Sequence, residues 1–353
     1  HNKDKWLGLT FMTPMSKKFM VEKQYTFMSA AKKSFVIFGV LVLVGLASLF
    51  LRGLQRGIDF TGGRNYVVEF EQKVTSEDVD AAVSEVIHAQ DPNAAVSCLD
   101  IVTTSNPAVR ISTSYRISES GADVDQDVEK LIWQALHDKG LVKANYETFK
   151  DRDNKTGGSI ISAQKVGATV AADMTRGATK SVIFSLIAIF LYILFRFRNV
   201  AFSVGAVGAL TVDTFLIIAM YSLCWGWMPF SLEVDQTFIA AILTAIGYSI
   251  NDKVVVFDRI RENLKLHPKQ DTQVTFNSSI NQTLARTINT SVSTFIVLLC
   301  IFILGGDSIR SFSFAMILGV VFGTLSSIFI AAPVAFLTLG KKMKDLREDA
   351  VAE

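Results

Sequence analysis

Residues Thr244–Asn263 read TAIGYSINDKVVVFDRIREN. The stretch begins as a membrane helix and ends as a charged, water-facing one. Inside its apolar part sits Asp252, next to Asn251. A charge within a membrane segment costs roughly 2.5–3.5 kcal/mol even on the most lenient scale, so such a residue marks a functional site. Thr244, Tyr248 and Asp252 recur at i, i+4 and i+8 and share one helix face. Lipid cannot satisfy a polar face, so this one must meet another helix, a partner subunit or water.

The rest of the chain supports a membrane reading. Half of its 353 residues are hydrophobic and 19% are charged. The apolar residues come in blocks, and about 20 such residues cross a bilayer as a helix. Six blocks qualify: 34–51, 177–195, 200–223, 237–257, 283–304 and 312–338. The first begins too late for a cleaved signal peptide, and no small-residue cleavage site follows it. Lys17–Lys18, Lys32–Lys33, Arg196–Arg198, Arg259–Arg261, Lys265, Lys269 and Lys341–Lys344 fall on one side if the chain starts inside and crosses six times. The positive-inside rule then puts both termini in the cytoplasm, with a leader over 1–33, an amphipathic segment over 258–270 and a tail over 339–353. Arg52, Arg56 and Arg64 fall outside, before a folded domain.

That domain covers 57–167. Asn65–Phe70 reads as a strand and Ser76–Ala89 as a helix with Ser76 as N-cap. Ala95–Thr104 and Ala108–Tyr115 read as strands joined at Asn106-Pro107, and Ala122–Lys139 as a helix closed by Gly140. Tyr146–Lys150 is the expected last strand, and Asp151–Ser159 a polar return to the membrane. The order β-α-β-β-α-β is the ferredoxin-like pattern. The expected fold class is therefore an α-helical membrane protein with six transmembrane helices and one α+β (ferredoxin-like βαββαβ) domain outside the membrane.

No catalytic constellation stands out. Three cysteines (Cys98, Cys224, Cys300) lack metal spacing, four histidines are scattered, and Walker and dinucleotide motifs are absent. No cofactor, metal or nucleic acid is expected, and the energy for any work must come from a membrane gradient or a partner. Three polar residues lie deep. Asp213 is about 20 Å along the third span, and Asp252 roughly 9 Å from Asp258. Arg286 belongs to the inner part of the fifth span, on a stripe with Gln282, Asn289 and Ser293. Structural readings compete with functional ones. Asp252 and Arg286 could form a static pair, although buried pairs stabilise weakly. Lys253 could neutralise Asp252, but its position about 100° round the helix predicts that it snorkels to the inner interface. Asp213 could sit among small residues such as Gly205 and Gly208. Gly319, Gly323, Thr324 and Ser326–Ser327 suit close helix packing.

Gly57-Ile58-Asp59-Phe60-Thr61-Gly62-Gly63 directly follows the first span. It resembles the signature shared by SecD and SecF, accessory subunits of bacterial Sec protein export, which belong to the resistance-nodulation-division superfamily. Ile246–Asn263 resembles the SecF form in particular. Arg286-Thr287, Val166-Gly167 and Phe195-Arg196-Phe197-Arg198 also fit, and the likeness covers about Phe35 to Leu339. The resemblance implies a bacterial inner-membrane protein whose outer domain is periplasmic. It implies pairing with SecD, as a separate subunit or a fused half, beside the SecYEG channel, SecA, YajC and a YidC-type insertase, acting on unfolded preprotein. It also implies a proton path through Asp252, Arg286, Asp213, Asn251 and Tyr248, with sodium as the alternative coupling ion. Gly57, Asp59, Phe60, Gly62 and Gly63 would form a hinge between membrane and domain, against the plainer reading of a linker turn. Lys253 departs from the small Thr or Ser usual in this family. Two other functions stay open: a passive scaffold among these partners, and an exporter half of the same superfamily. Against the latter, exporters usually carry larger outer domains.

Overall fold

The computed structural model describes residues 25–101, 106–119, 121–154, 157–228, 230–305 and 307–339. Six helices in it are long and apolar enough to cross a membrane. α1 is Phe27–Leu51, and a single turn, α2, is Ile58–Thr61. A strand-and-helix domain follows as β1 (Gly63–Glu69), α3 (Ser76–Gln90), β2 (Val96–Ile101), β3 (Ala108–Thr113), α4 (Ala122–Asp138), a turn α5 (Tyr146–Phe149) and β4 (Ser159–Val166). The remaining spans are α6 (Ala168–Phe197), α7 (Val200–Cys224), α8 (Gln236–Leu266), α9 (Thr272–Leu304) and a broken sixth. The sixth runs as α10 (Asp307–Ser326), a π turn (Ser327–Ala331) and α11 (Ala332–Leu339).

The four strands pair antiparallel in the order β2-β3-β1-β4, which is the expected ferredoxin-like sheet. Alternation builds it. Tyr66, Val68, Val109, Ile111 and Ile160 point to the two helices and are buried with Val79, Val83, Ile87, Val128, Ile132 and Leu136. The helical residues recur at i, i+4 and i+8, so both helices lay one apolar stripe on the sheet.

Two expectations are corrected here. The last strand is Ser159–Val166, not Tyr146–Lys150. Asn145 caps a short turn by accepting from the Thr148 amide at 2.8 Å, and Phe149 is fully buried, so that segment winds instead of extending. Gly157 and Gly158, at φ +86° and +72°, then turn the chain back into β4. The N-cap of α3 is Thr75, whose Oγ1 accepts from the Asp78 amide, while Ser76 donates to Asp100 across to β2. The three cysteines are free.

The spans exceed their expected bounds. α8 has 31 residues and α9 has 33, about 46 and 50 Å at 1.5 Å per residue. Both outreach a hydrocarbon core of about 30 Å. The segment expected over 258–270 as a separate amphipathic piece is mostly the continuation of α8. It is tied to α9 by Asn263 Nδ2, which donates to Ser279 Oγ at 2.8 Å and Gln282 Oε1 at 3.0 Å. α7, α8 and the sixth span form the inside of the bundle, while α1, α6 and α9 expose most of their apolar surface outward. Most of the expected tail, 340–353, and residues 1–24 of the leader lie outside the described residues.

Candidate functional site

The centre of the bundle is ionic. Lys253 is fully buried, and Asp213 is 3% exposed. The Lys253 ammonium donates to Asp213 Oδ2 at 2.9 Å, Ser249 Oγ at 2.5 Å and Ser326 Oγ at 3.0 Å. Both hydroxyls donate to the same carboxylate oxygen, Ser249 at 2.9 Å and Ser326 at 2.8 Å. One residue from α7, two from α8 and one from α10 thus converge on a single pair of charges. The expected snorkelling of Lys253 is therefore overturned. An opposite charge lies within reach inward, and two hydroxyls satisfy the remaining ammonium protons, so the head has no need of the interface. Asp213 does not sit among Gly205 and Gly208 as a packing residue. Gly205 instead takes the backbone of Ala331, where an added Cβ would come within 2.7 Å of the carbonyl oxygen.

Asp252 is also 3% exposed, on the neighbouring face of α8. Its Oδ2 accepts only two long contacts, from Ser291 Oγ at 3.4 Å and Thr324 Oγ1 at 3.5 Å. Those two hydroxyls bond each other at 2.6 Å. No cation pairs with Asp252 among the described residues, because Lys253 is engaged by Asp213 and Arg286 is exposed. The static Asp252–Arg286 pair is absent from the ion pairs. Asn251 is exposed, as are Thr244, Asn289 and Ser293. Together with Arg286 they make a polar strip on α8 and α9 that is exposed among the described residues. Tyr248 lies inward of it, half-buried, with its hydroxyl buried and unbonded among the described residues.

The sequence reading missed Ser249, Ser291 and the bonding roles of Thr324 and Ser326. One signal was present. Ser249 and Lys253 stand at i and i+4 on α8, and Gly319 and Gly323 repeat the same interval on the facing helix. Added Cβ atoms there would come within 2.4 Å of Ala245 and 2.6 Å of Ser249 Oγ, so the two helices touch along that seam.

The glycine-rich segment is a built joint. The Gly57 amide donates to Val234 O at 2.9 Å, and the Val234 amide donates to Gln55 O at 2.8 Å. Asp59 Oδ2 accepts from the Gln236 amide at 3.0 Å, and Asp235 Oδ1 from the Phe238 amide at 2.7 Å. Two carboxylates thus sit at the N-terminus of the helix that carries Asp252, where the helix dipole favours negative charge. Burial pushes the Asp235 carboxyl above its ordinary value, and the Phe238 amide and Arg110 only partly offset this. Gly63, at φ +156°, lies where a Cβ would meet Thr113 O and Ile58 Cγ2 at 2.9 Å. Gly62, at φ +74°, faces Ala168 at the start of α6. Phe60 packs on the apolar cluster at the outer end of the spans. The five expected motif residues, Gly57, Asp59, Phe60, Gly62 and Gly63, therefore sit together where the strand domain meets the helices.

Comparison with known proteins agrees. Residues 147–341 match the family described as protein export membrane protein SecD/SecF, C-terminal, and residues 47–74 the SecD/SecF GG motif. The protein translocase subunit SecF of Rhodothermus marinus is 39% identical over 310 residues, covering 88% of this chain and 92% of that one. The SecF of Haemophilus influenzae is 30% identical over 311 residues, with 88% and 85% covered. The crystal structure of SecDF from Thermus thermophilus, a translocon-associated membrane protein, superposes with a TM-score of 0.73 at 28% identity. That match covers 91% of this chain and 40% of the SecDF chain, so this chain spans about two fifths of it.

Proposed function

The chain belongs to the SecF family of protein translocase subunits, multi-pass membrane components of Sec export, and from that premise we propose that it couples proton flow past Asp252 to the late steps of preprotein translocation, as one half of a pair with a SecD-type chain. One observation carries this reading. A carboxylate buried in the bundle has no paired counter-charge among the described residues, and beside it a polar strip holding Arg286 and Asn251 faces outward at membrane depth. Polar side chains at that depth require a polar partner. A pseudo-symmetric second half would cover the strip and complete the path. Arg286 would then set the charge around Asp252, and Tyr248 would offer its unbonded hydroxyl between Asp252 and the outer end of the span.

The lysines and arginines at the helix ends support cytoplasmic termini and an outer domain on the periplasmic side. SecYEG, SecA, YajC and a YidC-type insertase are the partners this placement suits, with no cofactor and with the proton as coupling ion. One proton moving through 100 mV releases roughly 2.3 kcal/mol. That shifts a two-state equilibrium about fifty-fold, and the Gly57–Gly63 joint would pass the shift from α8 to the domain.

The test uses inverted membrane vesicles holding the complete export machinery. Release of a preprotein is compared with and without a proton gradient for wild type and Asp252→Asn. The expected result is that the gradient-dependent fraction disappears in the variant while co-purification with the SecD-type chain persists. Gradient dependence that survives the substitution would make Asp252 structural and leave the passive scaffold as the better account.

A further inference from the structure

The Lys253 ammonium stands in a cage of oxygens. Asp213 Oδ2, Ser249 Oγ and Ser326 Oγ lie 2.5–3.0 Å from it. The other carboxylate oxygen, Asp213 Oδ1, is buried and has no partner among the described residues. This is the donor set of a hard-cation site: a carboxylate and hydroxyls, with no nitrogen or sulfur ligand. Ser326 closes it from α10 at the last residue before the π turn Ser327–Ala331, an irregularity often found at functional positions. Transporters place ion sites of this kind at interrupted helices near the bilayer midplane.

We infer that Lys253 is a tethered cation occupying a monovalent metal site, and that its presence excludes sodium from the Asp213–Ser249–Ser326 cage. The charge decides the valence. Asp213 contributes one negative charge, and the hydroxyls contribute none, so one positive charge leaves the buried cluster neutral. A divalent ion would leave an uncompensated charge in a low-dielectric site. Hard cations take oxygens at about 2.3–2.6 Å, so a bare ion needs the cage to contract by only a few tenths of an ångström. Removing the four-carbon stem also opens a polar space that water can enter to complete the coordination shell. The site is separate from Asp252, whose Oδ2 bonds Ser291 and Thr324 on the next face of α8. Lys253 thus determines which cation the Asp213 cage holds, and the bearing of that on ion coupling rests on the gradient-coupled reading above.

The test reads cation binding rather than export, so it can fail or succeed independently of that reading. Full-length wild type, Lys253→Ala and Lys253→Ala/Asp213→Asn are purified in detergent. Their thermal midpoints are followed in sodium chloride and in choline chloride at equal ionic strength. Lys253→Ala is expected to gain a sodium-specific rise in Tm of several degrees that grows with the logarithm of sodium concentration, and wild type and the double variant are expected to show none. Recovery of Lys253→Ala only from sodium-containing buffers would support the inference equally. Equal midpoints of Lys253→Ala in the two salts overturn it, as does a sodium response in wild type. Should Lys253→Ala fail to fold in every salt, the inference falls in either remaining case. A double variant that folds shows that Asp213 cannot take up sodium, and one that does not shows that the lysine stem, not its charge, holds the site.

Discussion

Asp213→Asn is expected to destabilise the protein by about 3–5 kcal/mol, because it strands a buried ammonium. Lys253 is fully buried, and its only ion pair among the described residues is with Asp213. Ser249 and Ser326 would remain as acceptors, but hydroxyls do not neutralise a charge. Lys253→Met is expected to cost a similar amount by leaving the carboxylate alone. The double variant, Asp213→Asn with Lys253→Met, is expected to recover most of the loss, since removing both charges also removes their desolvation. A double-mutant cycle on purified protein, read as unfolding midpoints in denaturant, measures the coupling between the two residues. Additive single effects would show that the pair does not act as a unit. The Arg196–Asp258 pair gives an internal contrast. It has a comparable 3.0 Å separation, but its side chains are 44% and 40% exposed. Arg196→Ala should therefore cost no more than about 1 kcal/mol.

Gly323→Leu is expected to damage both ionic groups at once. A Cβ at this position already falls 2.6 Å from Ser249 Oγ and 2.9 Å from Ser249 Cβ. Both atoms belong to a packed helix, so α8 and α10 must separate to admit a side chain. Overpacking of this kind costs about 1–3 kcal/mol or more. Separation also pulls Ser249 from Asp213, and Thr324 from Asp252. The expected outcome is a lower Tm together with loss of gradient-dependent export. Gly208→Ala serves as the control, because nothing lies within 4 Å of its added Cβ and helix propensity favours alanine. An unchanged Tm and full export in Gly323→Leu would mean that the α8–α10 seam is not a close contact.

Much of this architecture is legible from periodicity. The blocks of apolar residues locate all six spans, and the alternating residues of β1 and β3 locate two strands of the sheet. The local signals are weaker where tertiary contact decides. Tyr146–Phe149 carries strand-forming residues, yet the Asn145 cap and the burial of Phe149 wind it into a turn. Ser159–Val166 mixes apolar and polar residues without clean alternation, and pairing with β1 along its length makes it a strand. Lys253 was misplaced for a related reason. Its helix alone predicts a side chain heading for the interface, and its partner Asp213 lies 40 residues upstream on another helix. The candidate Asp252 stands out from composition alone, because a carboxylate in an apolar helix needs no alignment to be conspicuous. Its contacts Ser291 and Thr324 were not found, since serine and threonine are common in membrane helices and bond their own backbone there.

The buried pair also constrains how the chain enters the bilayer. Span four is the least apolar of the six and carries Asp252 and Lys253 side by side. On its own it would take two charges into hydrocarbon, each costing about 2.5–3.5 kcal/mol on the insertion scale. Span three alone would take in Asp213 at a similar cost. Only residues 225–235 separate them, so the two can partition laterally as one hairpin with Lys253 already on Asp213. The salt bridge would then act during insertion as well as in the finished bundle, making the fourth crossing contingent on the third and setting the vertical register of the two helices.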